Sequence, residues 1–433
     1  MNTTLWKSLP LEKCIAQLID FRGKTPKKIG MEWGGGNIKA LSANNVKQGY
    51  IAFDKECYVG SQDLYDAWMT KGDCSKGDIV FTMEAPLGNV ALIPDNNKYI
   101  LSQRVILLKP NALVDSHYLY HYMSSEKFQN ELFINATGST AKGIKQSRLI
   151  NINITLPPKK WQVNIAEILT NVDKKIDLIE QKITTTKNLK IGLVQKLFSE
   201  GIGIEAEDGK WIRHKKFKDS ILGSIPQNWE IVSLKEILDV IKDGAHFSPK
   251  SSDGQYKYIT SKNIRFGKLD LTNISYIDEE EHNKIYKGSP VKPGDILLTK
   301  DGANTGNAAI NNLEEPFSLL SSVAYLRGSK NKISHTYLLQ FLLSSKGQSM
   351  MKSAMTGQAI TRLTLKKIGD FKIPYPNIIE QKQIAEILST IDEKLNILEK
   401  QRSETQLLKK GLMQKLLTGE WRVPLDCDED EAA

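Results

Sequence analysis

Gln162–Leu197 reads QVNIAEILTNVDKKIDLIEQKITTTKNLKIGLVQKL, and Gln381–Leu416 reads QKQIAEILSTIDEKLNILEKQRSETQLLKKGLMQKL. Set against each other at an offset of 219, without a gap, they agree at 17 of 36 positions. Agreement at that level marks a duplication, and a duplication decides the architecture before any local reading does. Positions 165, 169, 172, 176, 179, 183, 186, 190, 193 and 197 alternate spacings of four and three, and eight of the ten are apolar. The matching set in the second stretch has seven apolar positions of ten, and neither stretch contains proline. This spacing predicts two long helices with an apolar seam, each about 50 Å long. The expected seam is Ile165, Leu169, Val172, Ile176, Ile179, Ile183, Leu193 and Leu197, with Ile384, Leu388, Ile391, Leu395, Leu398, Leu412 and Leu416. A polar break at Thr186 and Lys190 recurs at Thr405 and Lys409. Stripes matched in length and phase are expected to pair with each other, as an antiparallel coiled coil.

Working outward, the preceding segments correspond more loosely. Asn45-Val46 answers Asn263-Ile264, and Gly77-Asp-Ile-Val-Phe-Thr82 answers Gly294-Asp-Ile-Leu-Leu-Thr299. Gly88-Asn89 answers Gly306-Asn307, and Thr137-Gly138 answers Thr356-Gly357. The fold class expected is α+β: two mixed α/β domains separated by two long helices, with an internal pseudo-twofold repeat. The expected organisation is a domain over 1–157, a helix over 158–200, a linker over 201–225, a second domain over 226–376, a second helix over 377–420 and an acidic tail over 421–433. His117–Phe133 and Ser334–Met351 read as helical by apolar spacing.

The 433 residues carry 59 Lys and Arg against 50 Asp and Glu, a net charge of +9. Both domains are mildly basic, while residues 376–433 are net acidic. That balance permits nucleic-acid binding without establishing it. The longest run free of Asp, Glu, Lys and Arg is Ile333–Ser345, too short for a membrane-spanning helix of about 20 residues. No membrane partner is expected, and the absence of an apolar signal core near Met1 makes a cytoplasmic location the expectation. Cys14, Cys57, Cys74 and Cys427 form no C-x-x-C pair and read as free thiols. His117 and His121 stand one helical turn apart without nearby ligand partners, which favours packing over a metal site.

No catalytic constellation emerges. Gly23-Lys24-Thr25 lacks the upstream glycine of a phosphate-binding loop, because position 18 is Leu. Leu156-Pro-Pro-Lys159 lacks both the polar first residue and the terminal aromatic that amino-methyltransferase chemistry uses. There is no G-x-G-x-x-G, H-E-x-x-H or G-x-S-x-G. A binding protein rather than an enzyme is expected, with no metal and no cofactor of its own.

The run Thr356-Gly-Gln…Lys366-Lys-Ile-Gly-Asp-Phe-Lys-Ile-Pro-Tyr-Pro…Glu380-Gln-Lys-Gln-Ile-Ala-Glu-Ile-Leu388 resembles the signature of type I restriction–modification DNA-specificity subunits. The first half repeats it as Thr137-Gly-Ser-Thr…Ile154-Thr-Leu-Pro-Pro…Gln162-Val-Asn-Ile-Ala166, with Trp161 where the family pattern has Glu. Asp20-Phe-Arg-Gly-Lys-Thr-Pro26 is similar to an early motif of the same domains. The resemblance implies one recognition domain per half of a split, asymmetric double-stranded DNA target, with the helical pair as spacer. It also implies two methyltransferase subunits docked on that spacer and restriction subunits in the full complex. S-adenosylmethionine, ATP and magnesium would then act on those partners only. Rival readings are a self-sufficient nuclease and a coiled-coil scaffold whose end domains bind proteins.

Base edges are read by Arg, Lys, Asn and Gln, and phosphates by Lys, Arg and backbone N–H groups. Polar loops rich in these supply the candidate DNA contacts. In the first domain they are Arg22, Lys24, Thr25, Lys27 and Lys28, then Asn44, Asn45 and Lys47, then Ser139, Thr140, Lys142 and Lys145. In the second they are His246 and Lys250, then Lys262, Asn263 and Arg265, then Lys300, Asn304 and Thr305, then Gln358, Thr361 and Arg362.

Overall fold

The computed structural model describes residues 6–139, 141–207, 209–251, 253–355 and 362–422. Thr140, Gln358 and Thr361 among the candidate contacts, Cys427, and most of the acidic tail lie outside the described residues. The chain divides into two compact units, Met1–Glu180 with Lys400–Ala433, and Gln181–Glu399. The division falls within the long helices rather than at their starts. Each unit therefore holds one domain, one half of the helix that follows it, and the far half of the other helix.

In the first unit, a four-stranded antiparallel sheet has the order Ile15–Asp20, Val105–Pro110, Ile79–Met83, Leu87–Leu92. A three-stranded sheet places Ile38–Leu41 between Val59–Gly60 and Tyr99–Leu101. Lys7–Pro10 pairs with Asn153–Leu156 and closes the domain where the chain enters its helix. The second unit repeats this order: Val240–Asp243, Val323–Arg327, Ile296–Thr299, Ala308–Ile310, then a sheet centred on Tyr256–Ile259, then Glu230–Ser233 with Lys372–Tyr375. Ile79–Met83 and Ile296–Thr299 are buried along their whole length, as the near-continuous apolar runs require.

Each helix expected as a single stretch is two. Ser125 ends Ser116–Ser124 in an extended conformation, and its Oγ accepts the Phe128 N–H to start Glu126–Ile134. Ser344 does the same between His335–Leu343 and Ser345–Ala354, accepting from Gly347. Apolar spacing continued across both breaks, but a serine that satisfies the backbone as an N-cap interrupts the helix at small cost.

Residues 201–225, expected as a linker, are folded into the second unit. Ile204–Glu205 pairs with Trp211–Ile212, Phe217–Lys218 pairs with Ile225–Pro226, and the Ile225 side chain is fully buried in that unit's core.

The long helices run Lys159–Leu197 and Ile378–Leu417. In the first unit Ile165, Ala166 and Leu169 share one apolar cluster with Leu412, Leu416 and Leu417. In the second, Leu193 and Leu197 join Ile384 and Leu388. Within each unit the early turns of one helix thus meet the late turns of the other, an antiparallel pairing. Among the seam positions, Ile179, Ile183, Leu395 and Leu398 are also buried, while Val172, Ile176, Leu193, Ile391 and Leu412 are half-buried.

The polar break has a definite purpose. Lys190 Nζ lies 2.6 Å from Asp392 in the second unit, and Lys409 Nζ lies 2.6 Å from Asp173 in the first. These are repeat-equivalent pairs that fix register across an otherwise slippery apolar seam. Thr186 and Thr405, both buried, each donate to a carbonyl one turn back, at 2.7 Å.

A third residue stands beside each pair. Gln340 Nε2 donates to Asp392 at 2.7 Å. At the equivalent place His121 is fully buried, with Nε2 3.1 Å from Thr170 Oγ1 and Nδ1 4.0 Å from Asp173. Burial, and then the nearby Lys409 ammonium, push His121 down to about 3. An imidazole that is neutral when folded but titrates near 6.5 when unfolded costs stability as pH falls through that window. Acidification from pH 7 should therefore destabilise the first unit progressively below about pH 6.5. Asp173, raised by burial against the pull of Lys409, returns part of the loss at the acid end. His121→Gln, which installs the residue the second repeat uses, should flatten the profile. Urea titrations at several pH values check this, and an unchanged slope would exclude His121 as the source.

Candidate nucleic-acid interface

The first unit carries a cleft of about 560 Å³ lined by Lys24, Thr25, Asn44 and Lys47 from the expected set. Trp33, Tyr58, Gln103 and Arg104, which sequence reasoning did not single out, complete it. Trp33 and Tyr58 stack with centroids 5.3 Å apart, and Tyr58 is largely exposed, so the cleft has an aromatic wall beside its cationic one. Positive charge, amide groups and an open aromatic face are what a nucleic-acid surface offers. The missed pair had a signal: Gln103-Arg104 is a polar dipeptide placed directly before the apolar run Val105-Ile-Leu-Leu108.

The other expected residues of this unit that are described do not line the cleft. Arg22 is clamped on Asp20 by Nε and Nη2 at 3.0 and 2.6 Å. Burial opposes ionisation of Asp20, but the Arg22 guanidinium and backbone N–H hold its carboxyl below the ordinary range. Lys27, Lys28, Ser139, Lys142 and Lys145 are exposed elsewhere, with Lys28 Nζ on the Gly23 carbonyl and Lys142 over the Phe133 ring.

Lys24 and Asn45 correct the expectation in part. Lys24 does reach the cleft, yet its ammonium donates to the Ala67 and Trp68 carbonyls, both at 3.0 Å. Burial and then Lys71 lower it from the ordinary lysine range. Asn45 is buried. Its Oδ1 accepts from Ser42 Oγ at 2.8 Å, and its Nδ2 points to the Ala52 and Glu56 carbonyls.

The second unit repeats that lesson. Asn263 is buried, with Oδ1 accepting from Thr260 N–H at 3.0 Å and Nδ2 donating to Asp270 O at 3.1 Å. Asn45 and Asn263 brace the same turn, which is why both repeats keep them. Lys300 is also buried, 3.2 Å from Asp243 and 2.9 Å from Asp301. Neither the two asparagines nor Lys300 has a polar group to offer a surface ligand. Asn304 and Thr305 are half-buried and tie to the Ser261 and Gly302 carbonyls.

His246, Lys250, Lys262, Arg265 and Arg362 are exposed. Arg265 Nε lies 3.1 Å from Asp270, whose carboxyl is pushed down to about 2 by the Thr272 hydroxyl and backbone N–H and by Arg265 itself. Arg362 Nε lies 3.2 Å from Asp301. Among the described residues no group of three or more His, Cys, Asp or Glu could hold a metal ion, and no helix is long and apolar enough to cross a membrane.

A family model described as type I restriction modification DNA specificity domain matches the chain twice, over residues 12–188 and 226–407. The type I restriction enzyme MjaVIII specificity subunit of Methanocaldococcus jannaschii is 28% identical over 413 residues, 93% of this chain and 90% of that protein. The EcoBI specificity subunit of Escherichia coli is 23% identical over 401 residues, 89% of this chain and 79% of that protein. The solved S subunit of a type I restriction–modification system from M. genitalium shares the fold, with a TM-score of 0.58 at 19% identity over 96% of this chain and 97% of that one. Matched in both of its halves, with the duplicated sheets and paired helices described above, the chain belongs to the type I restriction–modification DNA specificity family, and its role lies in DNA sequence specificity.

Proposed function

We propose that the chain is the non-catalytic specificity subunit of a type I complex that reads a bipartite, asymmetric DNA target, one unit per half-site. One observation carries this reading: the two units keep one framework and change the residues it presents. Their sheet orders and turn-bracing asparagines are equivalent. The segment entering the second strand of the four-stranded sheet is Ser102-Gln103-Arg104 before Val105–Pro110 in one unit and Leu320-Ser321-Ser322 before Val323–Arg327 in the other. A shared scaffold with divergent loops is what two readers of different half-sites need.

The long helices space the readers and dock two methyltransferase subunits. Exposed apolar pairs support the docking. Leu178 and Leu189 stand on the first helix, and Ile397 and Leu408 at the equivalent places on the second. Eleven residues separate the members of each pair, which returns a 3.6-residue helix to the same face. Aliphatic side chains left in water on one face, twice over, suit a repeated protein partner. Restriction subunits join the full complex, and S-adenosylmethionine, ATP and magnesium serve those partners rather than this chain.

Co-expression with the cognate methyltransferase subunit, followed by mapping of methylated adenines, tests the reading. Two short specific words separated by a fixed unspecific gap are expected. A single uninterrupted word, or no sequence preference, would overturn it.

A further inference from the structure

The end of the Ile79–Met83 strand and the end of the Ile296–Thr299 strand are framed by the same hydrogen bonds. Met83 N–H donates to Arg104 O at 2.8 Å, and Lys300 N–H donates to Ser322 O at 2.9 Å. Ile144 N–H donates to Met83 O at 3.1 Å, and Leu363 N–H donates to Lys300 O at 2.8 Å. Thr82 pairs with Val105 as Thr299 pairs with Val323. Arg104 therefore stands where the second unit has Ser322, and Gly143 stands where the second unit has Arg362.

Both units place a carboxylate next in line, Glu84 after Met83 and Asp301 after Lys300. Each carboxylate holds an arginine, but the two arginines come from different positions of the framework. Arg104 Nε lies 3.7 Å from Glu84 Oε1, and Arg362 Nε lies 3.2 Å from Asp301 Oδ1. Gly143 has no side chain with which to supply an arginine there. A Cβ there would stand 3.1 Å from Glu84 Cβ, tighter than side chains usually tolerate.

From this geometry we infer that Arg104 is a specificity-determining residue of the first unit, reading a guanine through O6 and N7, and that Arg362 is its counterpart in the second. The inference rests on the two-reader proposal above and names the residues that carry it. Both guanidinium side chains are exposed, 50% and 59%. An exposed ion pair is a weak tether, so a base edge offering two acceptors in fork geometry displaces it readily. The carboxylate aims the arginine without locking it.

The backbone points the same way. Arg104 holds a φ of +68°, and only one other non-glycine among the described residues has positive φ, Ala85. Both line the first unit's cleft. A side-chain-bearing residue kept in the left-handed region is stored strain, which persists where a site requires the geometry.

The test uses the full chain co-expressed with its methyltransferase subunits, with the methylated motif as the readout. Arg104→Gly removes the side chain while adopting φ +68° freely, so the fold is spared. It should make one guanine of one half-site degenerate, with discrimination there falling roughly 5- to 150-fold and the other half-site unchanged. Arg104→Lys should weaken the same position less than Arg104→Gly does, because an ammonium can still reach O6 and N7 but without the planar fork. Arg362→Gly should relax a guanine in the other half-site. Glu84→Gln should blur the Arg104 position without moving the melting temperature. A loss spread uniformly over all sites in Arg104→Gly would assign the residue to phosphate and overturn the inference. So would a two-part wild-type motif that Arg104→Gly leaves intact. A wild-type motif without two parts would instead remove the two-reader reading, and this inference with it.

Discussion

Replacing Glu380 with alanine should destabilise the second unit by about 3–5 kcal/mol, the usual cost of removing one partner from a buried charged network. Glu380 stands at the start of the Ile378–Leu417 helix and is fully buried. Its Oε1 accepts from Ile202 N–H at 2.9 Å, Gly203 N–H at 3.1 Å and His214 Nε2 at 2.9 Å. Its Oε2 accepts from Trp229 Nε1 at 2.9 Å. Four donors converge on one carboxylate, at a helix end whose dipole also favours negative charge. Alanine would leave all four donors without acceptors in a dry site.

For a unit of this size the loss corresponds to roughly 6–20 °C in melting temperature. The first repeat provides an internal control. Trp161 replaces the glutamate there and packs edge-on against Trp6, with centroids 6.5 Å apart. Trp161→Ala removes apolar contact without orphaning donors, so it should cost clearly less than Glu380→Ala. Differential scanning calorimetry of both variants decides. Equal losses would show that the carboxylate network adds nothing beyond packing. The carboxylate is also what gathers residues 201–229 onto the second unit.

The second large effect concerns the spacing of the target. Removing residues 176–182 and 395–401 together takes one heptad from equivalent places in both helices. The seam stays nearly in phase, because seven residues turn an α-helix by only about 20° short of two full turns. Both register pairs, Lys190 with Asp392 and Lys409 with Asp173, survive the deletion. Each helix shortens by about 10.5 Å, which on the proposed spacer role is close to three base pairs at about 3.4 Å each.

Methylation at the original gap should therefore be lost, and methylation at a gap about three base pairs shorter should replace it. The half-site letters should not change, since no loop residue is touched. Three base pairs also turn the duplex by roughly 100°. The new site should accordingly bind more weakly than the wild-type protein binds its own. Altered half-site letters, or retention of the original gap, would rule out the helical pair as a ruler. Deleting the heptad from one helix alone should be worse still, because the stripes would no longer face each other.

Particular residues show where sequence reading succeeded and where it could not. Periodicity is local, so the seam was visible from Ile165 to Leu416, and so was its interruption at Lys190 and Lys409. The partners of that interruption were not visible, because Asp392 and Asp173 lie some two hundred residues away along the chain. Among the polar loops, similarity of type misled. Asn45 and Asn263 have good base-reading side chains, yet their recurrence in both halves reflected a turn that both halves must brace. Lys300 was taken for a candidate DNA contact, but Asp243 and Asp301 hold it. Arg104 lay one residue before a strand and was passed over, although the fold delivers it to the cleft beside Trp33 and Tyr58.

What the amino-acid order determined by itself was the duplication, the two helices and their phase. Those properties depend on spacing along one chain and need no knowledge of what packs against it. Tertiary structure alone decided which polar side chains face inward, which arginine each carboxylate holds, and that residues 201–225 fold onto Glu380. Each of those outcomes depends on desolvation and partners supplied by distant segments, and no local pattern encodes them.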